Sequence, residues 1–337
     1  MNFGALFALA AGLLALPAAG AVLKVGPQEA LAVPSQAARV AEDGDTIEIA
    51  AGEYDDCAVW RQNGITITGP DDPTTPAVLT DAACQGKALF VITGRGVTVR
   101  RLTFSRVRVA DGNGAGIRAE GADLTVVHSR FVNNQSGILA ADQPEGTLTI
   151  LDSVFERNGA AMDARCVATL AVGSLRLLRI ERSRFAAARA CDMVRAGGGR
   201  TEVVESRFED GPGGAAQRML ALGGGTLLVR DSQFARGPGA VPPDAAIERR
   251  DLWGTAGDAL VERTTLVNET GRRGVLMRNL TSGKVRLEGK RVGDGDVVLD
   301  EAVWWMARAR SMARGALDTA RGLAGTVKRG LRSLLPV

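Results

Sequence analysis

Ser129-Arg130-Phe131, Ser153-Val154-Phe155, Ser183-Arg184-Phe185, Ser206-Arg207-Phe208 and Ser232-Gln233-Phe234 repeat one pattern: a hydroxyl residue, a variable residue and an aromatic anchor. Leu102-Thr103-Phe104 opens the series, and Thr264-Thr265-Leu266 closes it with conservative replacements. The anchors recur about every 23 to 32 residues, and side chains alternate as in strands within each unit. That period is too short for a pair of helices and suits one coil of three short strands. Stacked at the spacing of paired strands, roughly eight coils would make a rod about 40 Å long, filled by the anchor rings.

The residues that follow each anchor support the same reading. Asn133 and Asn134, Asn158 and Gly159, Asp210 and Gly211, Gly237 and Asn268 come a few positions later. Asn, Asp and Gly tolerate the left-handed backbone of a sharp bend, and stacked asparagines could also bond from coil to coil. The next strand then opens at Gly116-Ile117, Gly137-Ile138, Ala161-Met162, Met193-Val194, Met219-Leu220, Ala246-Ile247 and Val275-Leu276. The sequons at Asn134, Asn268 and Asn279 read as turn formers.

Upstream of the repeat, a helical stretch from Glu29 to Glu42 ends at Asp43-Gly44-Asp45, and Thr46 to Ala50 and Gly52-Glu53-Tyr54 follow as strand and turn. Before it, an apolar run from Gly4 to Pro17 and the small residues Ala19-Gly20-Ala21 predict a signal peptide over residues 1–21, hence export to the periplasm or outside the cell. In an oxidising compartment Cys57 and Cys84 suit a disulfide, and Cys166 with Cys191 could form a second; the alternative is four reduced, buried thiols.

From Val25 to Leu287 the chain resembles bacterial right-handed parallel β-helix repeat proteins of the pectate-lyase-like superfamily. The match rests on the helix, Gly-Asp turn, strand and Gly-x-Tyr entry, on Asn113-Gly114-Ala115-Gly116-Ile117-Arg118-Ala119-Glu120-Gly121, on Asn134 through Ile138, and on the Ser-x-Phe series. It implies an all-β, single-stranded right-handed parallel β-helix over residues 22–300, with the N-terminal helix capping the first coil. The superfamily includes polysaccharide lyases, glycoside hydrolases and uronate epimerases beside many members of unknown role, so the fold supplies an analogy for function. In relatives of this pattern a His-Gly and a Tyr fall where this chain has Ala168-Thr169 and Ala171, and a His-His-x-Lys cluster falls at Asp192-Met193-Val194-Arg195.

Composition narrows the chemistry. The 337 residues hold 42 glycines, 4% aromatics and a single histidine, His128, which reads as a solvent-facing strand residue. A lone histidine makes neither a triad nor a metal site. The formal charge of +3 is spread along the chain, which argues against a nucleic-acid partner. No glycine-rich phosphate loop, Cys-x-x-Cys, His-Glu-x-x-His or Gly-x-Ser-x-Gly pattern occurs, so no nucleotide, metal or other cofactor is expected.

What remains for chemistry is carboxylates and arginines. Enzymes that remove a proton beside a carboxylate need a base and a cation to neutralise the substrate, and arginine binds carboxylates with two parallel bonds. Outward positions after the asparagine bend carry Arg118 and Glu120, Asp163 and Arg165, then Asp192 and Arg195. Asp163, Asp192 and Arg195 are the catalytic candidates; Arg118, Glu120 and Arg165 are the ligand-binding ones. The bland alternative is a solvated ladder of opposite charges that simply pair.

The C-terminal segment, residues 301–337, breaks with the repeat. Met306, Ala309, Ala313, Leu317, Ala320, Leu323, Val327, Leu331 and Leu334 fall at helical spacing beside Arg310, Arg314, Arg321, Lys328 and Arg332. Such a basic amphipathic helix suits a cap on the solenoid or, with Trp304 and Trp305, contact with an anionic membrane surface. Taken together these features predict an exported, noncatalytic β-helix that binds carbohydrate or organises the envelope, the alternative being a lyase, epimerase or hydrolase acting on an acidic polysaccharide.

Overall fold

The computed structural model describes residues 20–301 apart from 163–164, 212, 241–244 and 253, and of 162 and 165 the backbone only. The signal peptide and the C-terminal helix lie outside the described residues. Within them the chain winds as a parallel β-solenoid of about ten turns, two more than the anchors alone predicted, because coils without the Ser-x-Phe signature extend it at both ends.

Each complete turn lays down three short strands, and every strand pairs in parallel with its equivalent in the next turn. The first face runs from Val22–Val25 through Thr46–Ile49 and Thr66–Thr68 to Val285–Glu288. The second face carries the anchors, from Gly52–Tyr54 to Thr265–Asn268. The third runs from Ala58–Trp60 to Val297–Asp300. At Leu170–Glu181 and Asp192–Val204 the third face continues into the next first face as one long strand.

Alternation decides which side chains fill the interior. On the first face Ile47, Ile67, Val99, Val126, Ile150, Ile180, Val203, Val229 and Val261 stand in one register and are buried. β-Branched side chains pack well on a pleated surface, and an unbroken column of them leaves no register slip that keeps the core apolar. On the second face the anchors stack as predicted. Phe104, Phe131, Phe155, Phe185, Phe208 and Phe234 have centroids 4.4 to 5.1 Å apart and planes within 9° of parallel.

The hydroxyl residue has its own task at the corner before each anchor. Ser153 Oγ donates to Leu151 O at 2.7 Å and accepts Ser129 N at 3.1 Å, and Ser183, Ser206 and Ser232 repeat both bonds. Only a small side chain with both donor and acceptor fits a buried corner in this way.

Left-handed bends occur as expected at Asn133, Gly159 and Gly211, but most fall elsewhere. They occur at the corner before the hydroxyl position, at Arg101 (where Leu102 stands in for the hydroxyl), His128, Asp152, Arg182, Glu205, Asp231 and Arg263, and after the anchor, at Arg106, Asn133, Arg157 and Ala187. Left-handed backbone costs roughly 1–2 kcal/mol for such residues. Each of these corners nevertheless directs its N–H to a carbonyl one coil on, as in Asp152 N to Glu181 O at 3.1 Å and Arg157 N to Ala186 O at 3.1 Å, which offsets that cost.

Asn134 and Asn158 are fully buried and serve through their side chains. Asn158 donates to Phe131 O at 2.7 Å and accepts Asn134 N at 2.9 Å, the coil-to-coil bonding expected of stacked asparagines. Replacing Asn158 by Ala leaves Asn134 N without its side-chain acceptor and removes the side-chain bond to Phe131 O, and a loss of about 1–3 kcal/mol is expected in urea unfolding. An unchanged midpoint would show that the ladder contributes nothing.

The helix is shorter than predicted, Pro34–Val40 instead of Glu29 to Glu42. Pro34 has no N–H and disfavours helical backbone at Val33, so the helix cannot extend upstream. Asp56 accepts Ser35 N at 2.7 Å at its start, and Ala37 and Ala38 are buried in the core. Both cysteine pairs are bonded: Cys57 with Cys84 and Cys166 with Cys191.

Candidate binding cleft on the third face

Going outward from the core, the third face places one residue per turn in a single column: Val91, Arg118, Leu139, Ala171, Arg195, Ala221, Glu248, Arg278 and Asp300. Apart from Arg118, the upstream half is apolar. Val91, Leu139, Ala88, Ala115 and Val167 pack together outside the solenoid, where the hairpin of Ala160–Met162 and Arg165–Val167 joins them.

The downstream half is ionic. Asp192 has no exposed surface, and its Oδ2 accepts Arg195 Nη2 at 2.8 Å while its Oδ1 accepts Arg218 Nε at 2.8 Å. Arg218 reaches on with Nη1 to Glu248 Oε1 at 2.7 Å, which also accepts Arg250 Nε at 2.7 Å. Arg278 lies 3.8 Å from Glu248 and bonds Asp300 at 2.8 Å. Burial works against the charge on Arg218, yet its pKa is raised, because the hydrogen bonds to Asp192 and Glu248 outweigh desolvation.

Beside this chain of charges lies a cleft of about 370 Å³, bordered by Arg195, Arg218, Glu248, Arg250 and the exposed Leu252. Its floor is bare because successive coils turn the corner on Gly173, Gly197 and Gly223. A Cβ on Gly173 would stand 2.8 Å from the backbone N of Asp142, so the chain at that corner would have to shift to admit a larger residue. Arg250 is 52% exposed and spends only Nε on Glu248, which leaves the end of its guanidinium fork facing solvent.

The cleft contains part of what the sequence suggested. Arg195 lines the cleft and bonds the buried Asp192, and it also donates Nη1 to Cys166 O at 3.1 Å. Arg118 and Glu120 stand three coils away, roughly 14 Å at the strand spacing. There Glu120 bonds Lys87 at 2.7 Å, and that bond, more than the weaker contact with Arg118, holds its carboxyl below the usual range. Asp163 and the side chain of Arg165 lie outside the described residues. Among the described residues no group of three or more His, Cys, Asp or Glu could hold a metal ion. Arg218, Glu248 and Arg250 were not anticipated. Continuing the outward positions past the strand openings at Met219 and Ala246 would have reached them.

The three-strand coil, its parallel ladders and the stacked interior define a parallel β-helix protein. More particularly, its backbone is similar to the parallel β-helices of several solved enzymes. It is similar to the alginate lyase from Paenibacillus sp. str. FPU-7, with a TM-score of 0.51 and 11% identity over 83% of this chain and 98% of that one. The pectin methylesterase from Aspergillus niger gives 0.50 and 10% identity over 85% of this chain and 91% of that one. The PL6 family alginate lyase AlyGC gives 0.50 and 16% over 81% of this chain and 40% of that one. No family model matches the chain, and no curated protein matches it in sequence. At these identities the likeness is one of fold.

Proposed function

We propose that the protein is an exported, noncatalytic β-helix that binds an acidic polysaccharide along the third face. One observation carries this reading: Glu248 in the cleft and the adjoining Asp192 are held by guanidinium groups, and Asp142 Oδ1 accepts Ser174 N at 2.6 Å, while the outer end of Arg250 is open to a carboxylate ligand. A general base must present a lone pair to the substrate, and Asp192 and Glu248 are buried, at 0% and 3% exposure, against the arginines they bond. An arginine fork fits a uronate carboxylate with two parallel bonds, and Leu252 offers the C–H face of a sugar an apolar contact. Two disulfides and the signal-like N-terminus support export. The basic segment beyond residue 301 belongs to the same reading as a cover for the last coil or as a contact with an anionic membrane.

The alternative, a lyase, epimerase or hydrolase, draws support from structural neighbours whose names record action on alginate and pectin. One experiment separates binding from lyase action. Polygalacturonate, alginate and a neutral glucan are tested for binding and for release of unsaturated ends. Binding to the acidic polymers is expected without new unsaturated ends, and Arg250→Ala is expected to weaken it about tenfold, the effect of one charge-assisted pair. Release of unsaturated ends that disappears in Asp192→Asn would overturn the noncatalytic reading.

A further inference from the structure

The corner between the first and second faces is short in nearly every coil. Val127 is followed by Arg130 after His128 and Ser129 alone, and the same spacing separates Leu151 from Val154, Glu181 from Arg184 and Val204 from Arg207. One coil departs from this. Between Thr66–Thr68 and Ala77–Thr80 the chain inserts Gly69 to Pro76, with prolines at 70, 73 and 76.

This insertion has a fixed shape. Asp72 Oδ1 accepts Thr74 N at 2.9 Å and Thr74 Oγ1 at 2.7 Å, closing a turn on itself. Arg101, the corner residue of the next coil, bonds Asp71 at 2.8 Å and Gly69 O at 3.3 Å and ties the loop's root to the solenoid. Three prolines and an anchored turn leave the loop little entropy to lose when something binds against it.

Together the loop and the second face enclose a cleft of about 420 Å³, within the size range of small-molecule sites. The prolines supply apolar surface; Thr103 and Arg130, partners in strand register, supply polar groups, and His128 stands at the edge. The surrounding charges are Arg101, Asp71 and Asp72 from the cleft itself and Asp152 from the coil beyond His128. Arg101 is committed to the loop and Asp152 to Arg182 at 2.8 Å. No hydrogen bond or ion pair among the described residues ties down the guanidinium of Arg130 or the imidazole of His128. Elsewhere on the same face Arg184 and Arg207 both pair with Glu209, so an unpaired arginine under a dedicated roof is a departure from the local rule.

We propose that this cleft is a second ligand site, separate from the third face, for a carboxylate-bearing ring such as a sugar acid. The carboxylate bonds Arg130 and the imidazole N–H of His128, and the ring's apolar face rests on the prolines. Two forked N–H donors match the two carboxylate oxygens, and a hydroxyl substituent can meet Thr103.

The chain's single histidine makes the test direct. In protein free of added histidines, His128 gives the only imidazole signal in a proton NMR spectrum. Titration with galacturonate at constant pH is expected to move that signal saturably in the millimolar range, while galactose, which lacks the acid, leaves it in place. Arg130→Ala is expected to abolish the shift, and Arg250→Ala to preserve it, so the outcome stands apart from that of the third-face cleft. An unmoved signal, or a shift that survives in Arg130→Ala, overturns the site. A shift of equal size with inorganic phosphate overturns the carboxylate assignment.

Discussion

Arg236→Met is expected to lower stability by about 3–5 kcal/mol at neutral pH, although the substitution removes a charge and adds an apolar side chain. Arg236 is 1% exposed and Asp210 is fully buried, with Nε 3.2 Å from Oδ2. The guanidinium also bonds Gln217 O at 3.0 Å and Ala216 O at 3.3 Å, so it holds the approach to Arg218 as well as the carboxylate. Methionine restores most of the volume and none of these bonds, and Asp210 is left as an uncompensated buried charge. Desolvation already raises the pKa of Asp210, with Arg236 opposing it, and without Arg236 the folded-state value rises further.

The sign of the pH dependence follows. A carboxyl whose folded pKa lies above its unfolded value contributes its full stability below the unfolded pKa and loses it as pH rises through the folded one. The deficit of Arg236→Met relative to the native chain is therefore expected to shrink on acidification and to grow towards neutrality. Asp152 and Asp231, whose pKa values are lowered by hydrogen bonds from Arg182 and Arg263, lose their contribution in acid in both proteins and cancel in the comparison. Urea midpoints measured at about pH 5 and about pH 7.5 supply the test. A deficit equal at both pH values would mean that lost packing, and not the buried carboxylate, sets the cost.

The second large effect is expected at the centre of the aromatic stack. Phe155 lies 4.6 Å from Phe131 and 4.4 Å from Phe185, with planes 8° and 1° from parallel, and has no exposed surface. Truncation to alanine removes a buried ring and opens a cavity that flanking coils cannot collapse into, because both are fixed by their own ladders. A loss of about 3–5 kcal/mol is expected. Phe234 has one stacked neighbour, Phe208 at 5.1 Å, and faces Leu266 on the other side. Phe234→Ala should cost less by about 1 kcal/mol, the value of one aromatic pair beyond area burial. Equal losses would show that the rings contribute only through the surface they bury.

These two sites mark how far the sequence could be read. Phe155 is visible as an anchor because the solenoid repeats it at coil spacing, and the same repetition exposes the serine corner. Arg236 is invisible for the opposite reason: nothing in Gln233-Phe234-Ala235-Arg236 distinguishes it from the solvent-facing arginines of other coils. Its position after the anchor coincides with left-handed bends elsewhere, whereas here it extends the strand Gln233–Arg236 and turns inward to Asp210. Residue preference located the left-handed corners at Asn133, Gly159 and Gly211 but missed those at Arg157 and Ala187, where bonds to the next coil override it.

The third-face cleft was half legible. Asp192 and Arg195 are three residues apart and could be paired by eye; Arg218 and Glu248 join them only through strand register, which the unequal lengths of the intervening loops conceal. His128, read as an ordinary strand residue, stands at a corner beneath a loop whose destination no local pattern reveals.

The sequence alone determined the coil, its direction of stacking and its interior, because a fold built from one repeated unit writes its packing rule into every unit. Only the tertiary structure decided which charges meet. Neighbours in a solenoid lie one coil apart in space and an irregular number of residues apart in the chain, so Arg250 and Arg130 acquire their open surroundings from register, insertion and the partners that other arginines have taken.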